Sequence, residues 1–113
     1  MSDCLFCRIV AGEIPATVVH ETDRVLAFRD IAPAAPTHVV VVPKEHHQDV
    51  AALSAADPEL AAQVMAAGAA VAAAEGLGDG FRLVFNTGAD GGQTVFHVHL
   101  HVLGGRSMTW PPG

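Results

Sequence analysis

The chain has no tyrosine and one tryptophan, and only six of its 113 residues are lysine or arginine. Set against twelve carboxylates, those cations leave a net charge of −6 with the histidines neutral. Nucleic-acid polymers are gripped largely through Lys and Arg on phosphates, so no such partner is expected. A small phosphate ligand stays open, because a few backbone N–H groups and one or two imidazoles are enough to hold one phosphate. No apolar run approaches the ~20 residues that span a bilayer, so no membrane partner is expected either. Met1-Ser2-Asp3-Cys4 lacks a basic stretch followed by an apolar one, and the chain reads as unexported and cytoplasmic. There are only two cysteines, Cys4 and Cys7, at C-x-x-C spacing. In a reducing cytosol a structural disulfide is disfavoured. Metal ligation, redox chemistry or plain burial remain.

Half of the residues are hydrophobic, which supports a real core in one domain spanning residues 1–113. Leu5, Phe6, Ile9 and Val10 fall at helical spacing, with Asp3 as a cap and Gly12 as a stop, predicting a short N-terminal helix. Thr17–Val19 and Val25–Phe28 read as strands around a turn. His38–Val42 is a β-branched run that predicts a central strand buried on both faces. Ser54–Glu75 reads as the one long helix, with Asp57-Pro58-Glu59 supplying a cap, a first-turn proline and an early acid. Phe81–Phe85 is a strand, and Thr94–Leu103 reads as the last long one. The fold class is α+β: a mostly antiparallel sheet of about five strands, one main helix and a short N-terminal helix.

His97-Val98-His99-Leu100-His101-Val102-Leu103 is the most informative stretch. Alternate side chains of a strand share a face, so three imidazoles line one side and three apolar residues pack the other. The plain alternative is a solvated face. A metal site is another, but three residues on one strand cannot serve one ion. The outer Cα atoms lie ~13 Å apart at ~3.3 Å per residue, against Zn–N bonds of ~2.1 Å. The same arithmetic singles out the middle residue, His99, for nucleophilic chemistry, with its neighbours orienting it or serving elsewhere. A neutral imidazole suits attack on phosphorus, provided its other nitrogen donates to an oriented acceptor such as a backbone carbonyl. The preceding loop, Gly88 to Thr94, is flexible enough to bring backbone N–H groups near an anion, and Gln93 and Thr94 offer side-chain contacts.

This stretch resembles the histidine triad family, His-φ-His-φ-His-φ-φ with φ apolar, at every position. Asp30-Ile31, Thr37-His38, Val41-Val42-Pro43-Lys44, Asn86, Gly91–Phe96 and the tail Gly104-Gly105-Arg106 to Trp110-Pro111-Pro112-Gly113 extend the resemblance over nearly the whole chain. The tail is similar to that of the histidine triad nucleotide-binding (protein kinase C inhibitor-like) branch. The resemblance implies a homodimer whose sheets join, and hydrolysis of purine nucleoside 5′-phosphoramidates through a nucleotidyl-histidine intermediate. Diadenosine polyphosphate hydrolysis, or nucleotide binding with little turnover, are the alternatives. By matching position, His99 is the nucleophile, supported by His38 and His101. Asn86, Gln93 and Thr94 contact phosphate and leaving group, and Asp30 the ribose. Leu5, Phe6, Ile9, Phe28 and Ile31 wall the base, and Trp110 approaches the partner's site. No cofactor is implied for catalysis. In bacterial relatives with the C-x-x-C pair, the positions of Cys4, Cys7, His46 and His97 bind zinc, a closed four-ligand site of structural type. His47 is a substitute ligand in that scheme, and His20 reads as an exposed strand residue.

Overall fold

The computed structural model describes Asp3 to Gly113; Met1 and Ser2, which enter only the reading of the N-terminus as unexported, lie outside the described residues. In chain order the elements are α1 (Leu5–Val10), β1 (Val18–Glu21), β2 (Val25–Arg29), β3 (Thr37–Pro43), α2 (Val50–Ala56), α3 (Pro58–Ala74), β4 (Phe81–Phe85) and β5 (Leu100–Gly104). The strands form one antiparallel sheet in the order β1-β2-β3-β5-β4. The fold is α+β.

The valine run of β3 explains its central place. Val39 and Val41 pack with the buried stripe of α3, which includes Leu60, Val64, Ala67 and Val71. Val40 and Val42 pack on the opposite face with Leu26, Phe28 and Phe6. Burying one such side chain is worth about 1.5–3 kcal/mol, so a strand apolar on both faces is driven to the middle. Gly68 lets α3 approach β5, since a Cβ there would sit 2.7 Å from Leu100 Cδ2.

Three expectations are corrected. The long helix from Ser54 is two helices. Asp57 is extended (φ −152°, ψ 78°) and its carboxylate accepts from the Leu60 N–H, so it ends α2 and caps α3. Pro58 enforces this by disfavouring helical backbone at the residue before it. Second, the cap of α1 is Cys4, not Asp3: the Cys7 N–H donates to Cys4 Sγ at 3.4 Å. Third, the last strand starts at Leu100 and not Thr94. β4 ends at Phe85 and the β5 ladder ends with it: Leu100 pairs with Phe85 and Val41, while β3 itself continues to Pro43 beside β2. His97 and His99 therefore lie before the ladder, and only His101 is on the strand. The alternation of faces persists nonetheless, with Val98, Leu100 and Val102 all in the α3-side core.

Candidate active site and metal centre

His99 is 7% exposed. Its Nδ1–H donates to the main-chain carbonyl of His97 at 2.8 Å, which leaves Nε2 with its lone pair. The Phe6 ring meets it edge-on at 5.0 Å, and the His101 ring lies 4.9 Å away at 70°.

His101 ends a directional chain of hydrogen bonds. The Ala34 N–H donates to His38 Nδ1 at 3.0 Å. His38 must then carry its proton on Nε2, which donates to His101 Nδ1 at 2.8 Å. His101 in turn carries its proton on Nε2, a buried atom with no partner among the described residues. Such an orphaned donor is costly unless a ligand meets it. Burial lowers His38, opposed by Asp30 with Oδ2 3.5 Å away. Burial, aided by His99 and His38, pushes His101 down to about 4. Both rings are neutral at pH 7, as the chain of bonds requires.

The second cluster joins Cys4, Cys7, His46 and His97, whose ligand atoms all lie within 4.8 Å of one another. His97 is fully buried, and its Nε2–H donates to the Pro43 carbonyl at 2.8 Å, turning the Nδ1 lone pair into the cluster. Nδ1 lies 3.4 Å from Cys4 Sγ, 3.5 Å from Cys7 Sγ and 3.2 Å from His46 Nδ1, and His46 Nδ1 is 3.4 Å from Cys7 Sγ. A tetrahedral zinc with ~2.1 Å bonds to nitrogen and ~2.3 Å bonds to sulfur has N–N edges of ~3.4 Å and N–S edges of ~3.6 Å. The four donors fit that ion, and the Pro43 carbonyl is the outer partner that fixes a ligating imidazole. The short α1 helix makes this possible by setting both thiols on one turn.

Gln93 is 5% exposed, and its side chain is committed to the main chain. Its Nε2 donates to the carbonyls of Gln48 (2.8 Å) and Val95 (3.1 Å), and Oε1 accepts from the Gly88 N–H (2.9 Å). It shapes the loop from within. Gly91 is packed so tightly that a Cβ would strike the Thr87 carbonyl, and Gly92 has φ +85°. Thr94 is exposed beside this loop, and Asn86 is half-buried one residue past the Phe85–Leu100 pair. Asp30 Oδ1 accepts from the Ala32 N–H at 2.8 Å. Phe6 and Phe28 meet edge to face at 5.5 Å, and Ile9 packs on the same cluster. Leu5 is 44% and Trp110 82% exposed, and Ile31 is wholly exposed. The tail before Trp110 is held by Arg82, whose Nη2 donates to the Thr109 carbonyl at 2.8 Å. His20 is half-buried on β1, and His47 lies outside the four-donor cluster. Sequence reading missed the backbone partners, Ala34, Pro43 and Gln48; the one signal was Pro33 and Pro36 bracketing the turn that presents the Ala34 N–H.

An antiparallel five-stranded sheet carrying a buried imidazole on a carbonyl, a histidine relay and a Cys2His2 cluster defines the class of small α+β proteins built around clustered histidines. The HIT domain model matches residues 11–108, and the chain belongs to that family. It is similar to an uncharacterised HIT-like protein of Synechococcus elongatus, 49% identical over 98% of this chain and 97% of that one. A 14 kDa zinc-binding protein of Zea mays is 46% identical over 99% of this chain and 89% of its own. The crystal structure of a HIT family hydrolase from Legionella pneumophila superposes with a TM-score of 0.94 at 54% identity, covering 98% of this chain and all of that one.

Proposed function

We propose that the chain hydrolyses purine nucleoside 5′-phosphoramidates, in which AMP is joined to an amine or a lysine, through a nucleotidyl-His99 intermediate. The observation that carries this reading is the His99 Nδ1–H bond to the His97 carbonyl, which orients the ring and makes Nε2 the nitrogen that can attack. Nε2 adds to the α-phosphorus and the P–N bond breaks. The departing nitrogen keeps the electron pair and takes a proton from solvent, while the neutral His101 Nε2–H, backed by the donor on His38, meets it with a hydrogen bond. Water then adds to phosphorus, gives up a proton to solvent, and the P–Nε2 bond breaks to give AMP. Loop N–H groups, Thr94 and Asn86 meet the phosphate oxygens. Gln93 holds that loop in place. Asp30 takes the ribose hydroxyls, and Leu5, Phe6, Ile9, Phe28 and Ile31 border the base.

The Legionella relative is named a hydrolase and the Zea mays relative a zinc-binding protein, which supports hydrolysis and a structural zinc on Cys4, Cys7, His46 and His97. A reducing cytoplasm would keep the thiols able to bind it. We also propose a homodimer joined at β4, an edge strand on which Phe81 and Leu83 are 44% and 38% exposed, with Trp110 reaching the partner's site. Sedimentation equilibrium at micromolar concentration should then read twice the 11.7 kDa chain mass. The deciding assay incubates the protein with an AMP-amine conjugate and with diadenosine tetraphosphate. Rapid release of amine with slow cleavage of the dinucleotide supports the proposal; the reverse preference, or binding of AMP without turnover of either, defeats it.

A further inference from the structure

His97 belongs to both clusters at once. Its Nδ1 lies among Cys4, Cys7 and His46, while its main-chain carbonyl accepts from His99 Nδ1. The segment that carries both residues precedes β5, so no ladder hydrogen bonds set its position. Four other attachments do. His97 Nε2–H is tied to the Pro43 carbonyl, and the Val98 N–H to the His47 carbonyl at 2.8 Å. Phe6, on the helical turn between the two cysteines, lies edge-on to His97 at 6.0 Å and to His99 at 5.0 Å. The fourth is the donor cluster itself. His46 and His47 are adjacent, so the strand-to-helix connection grips residues 97 and 98 through a side chain and a carbonyl together.

We infer that the Cys4–Cys7–His46–His97 centre positions the nucleophile, with His97 as the positioning residue that passes metal occupancy to His99 through its own carbonyl. This deepens the proposed hydrolase reading and rests on it for its kinetic arm alone. A bound zinc supplies four directed bonds that fix the His97 ring, and nothing in the reacting steps. With the ring fixed, the His97 carbonyl stays on the His99 Nδ1–H axis, and the ring keeps one tautomer with Nε2 free. Without that constraint two thiols and two imidazoles face one another with no shared direction, the segment relaxes, and His99 samples both tautomers. Displacement of a reacting group by about 1 Å costs on the order of a hundredfold in rate. The effect should appear in kcat through His99, with a change in KM beside it, because Leu5 and Phe6, which border the base, lie between the two cysteines.

The test uses the full-length chain, labelled with 15N in histidine, with zinc and after chelation. Long-range 1H–15N spectra report each ring's tautomer, and amide spectra report the fold. The zinc-loaded protein should show His99 as a single Nδ1–H tautomer. Chelation should shift it toward a mixture, while His20 on β1 stays unchanged, and kcat for an AMP-amine conjugate should fall about tenfold or more. The Cys7→Ser variant should mimic chelation, and Cys7→His, which restores a ligand, should recover the single tautomer on adding zinc. A folded, metal-free chain that keeps the single tautomer overturns the inference. If the metal-free chain unfolds, zinc-loaded Cys7→His carries the test. Exchanging a sulfur bond for a shorter nitrogen bond must move the His99 ring resonances, and unmoved resonances overturn the inference. A tautomer change in a protein that cleaves no phosphoramidate would leave the coupling standing and defeat the hydrolase reading.

Discussion

Two histidine clusters sit on the same side of the sheet and look alike as inventories. Cys4, Cys7, His46 and His97 form one; Asp30, His38 and His101 form the other, and each gathers its donor atoms within 4.8 Å. Their hydrogen bonds tell them apart. In the first, His97 spends its only N–H on Pro43, outside the cluster, and points a lone pair inward. In the second, the Ala34 N–H occupies the His38 lone pair on Nδ1, so His38 points a proton at His101. The 2.8 Å between those two nitrogens is shorter than the ~3.4 Å edge that two imidazoles on one tetrahedral zinc require. The same residue type thus makes a cluster able to hold a metal where lone pairs converge and a hydrogen-bonded chain where donors and acceptors alternate. A single backbone partner per ring decides which.

Four experiments probe that contrast. The largest effect is expected at His99, which stands between the clusters. His99→Ala should lower single-turnover hydrolysis of an AMP-amine conjugate on the order of 10⁴-fold or more, while AMP affinity by titration calorimetry stays within severalfold. Rapid residual hydrolysis would remove His99 from the centre. Breaking the relay should cost less. His101→Gln should lower the rate by about 10²- to 10⁴-fold, and by least for weakly basic leaving amines, which need no proton. A loss independent of amine basicity would mean that His101 is not the donor.

The metal cluster should answer in stability as well as in the rate. Elemental analysis should find one zinc per chain, and chelation should lower the melting temperature by about 10 °C or more. Less than about a tenth of an equivalent, with melting indifferent to added zinc, would reduce Cys4 and Cys7 to packed thiols. The smallest effect is the relay's own pH dependence. His101 is held at about 4 in the fold and lies near 6.5 when unfolded, so the unfolded chain binds the extra proton between those values. Its contribution to stability is complete above ~6.5 and is lost as pH falls toward 4. Urea midpoints in the zinc-loaded protein should fall across that window, less steeply in His101→Gln; equal slopes would show that His101 is not buried neutral.

The local pattern of the sequence already held much of this. Alternation in His97–Leu103 fixed which side chains share a face, and Val98, Leu100 and Val102 do fill the α3-side core. The valine run marked the central strand, because a strand apolar on both faces has nowhere else to go. Asp57-Pro58 announced a helix start, and the error was to place it inside one helix when a capping residue must leave helical backbone.

What the sequence could not decide is direction. Three imidazoles on one face could be surface, ligands or catalysts. Their separation follows from where β4 and the β5 ladder end, where Pro43 presents its carbonyl, and where the turn before β3 presents the Ala34 N–H. Those partners lie between four and fifty-four residues away in the chain. Residue type and spacing determine which groups can ionise, ligate or attack. Only the tertiary structure determines which nitrogen of each ring carries the proton, because a buried imidazole adopts the tautomer that its fixed backbone partner satisfies.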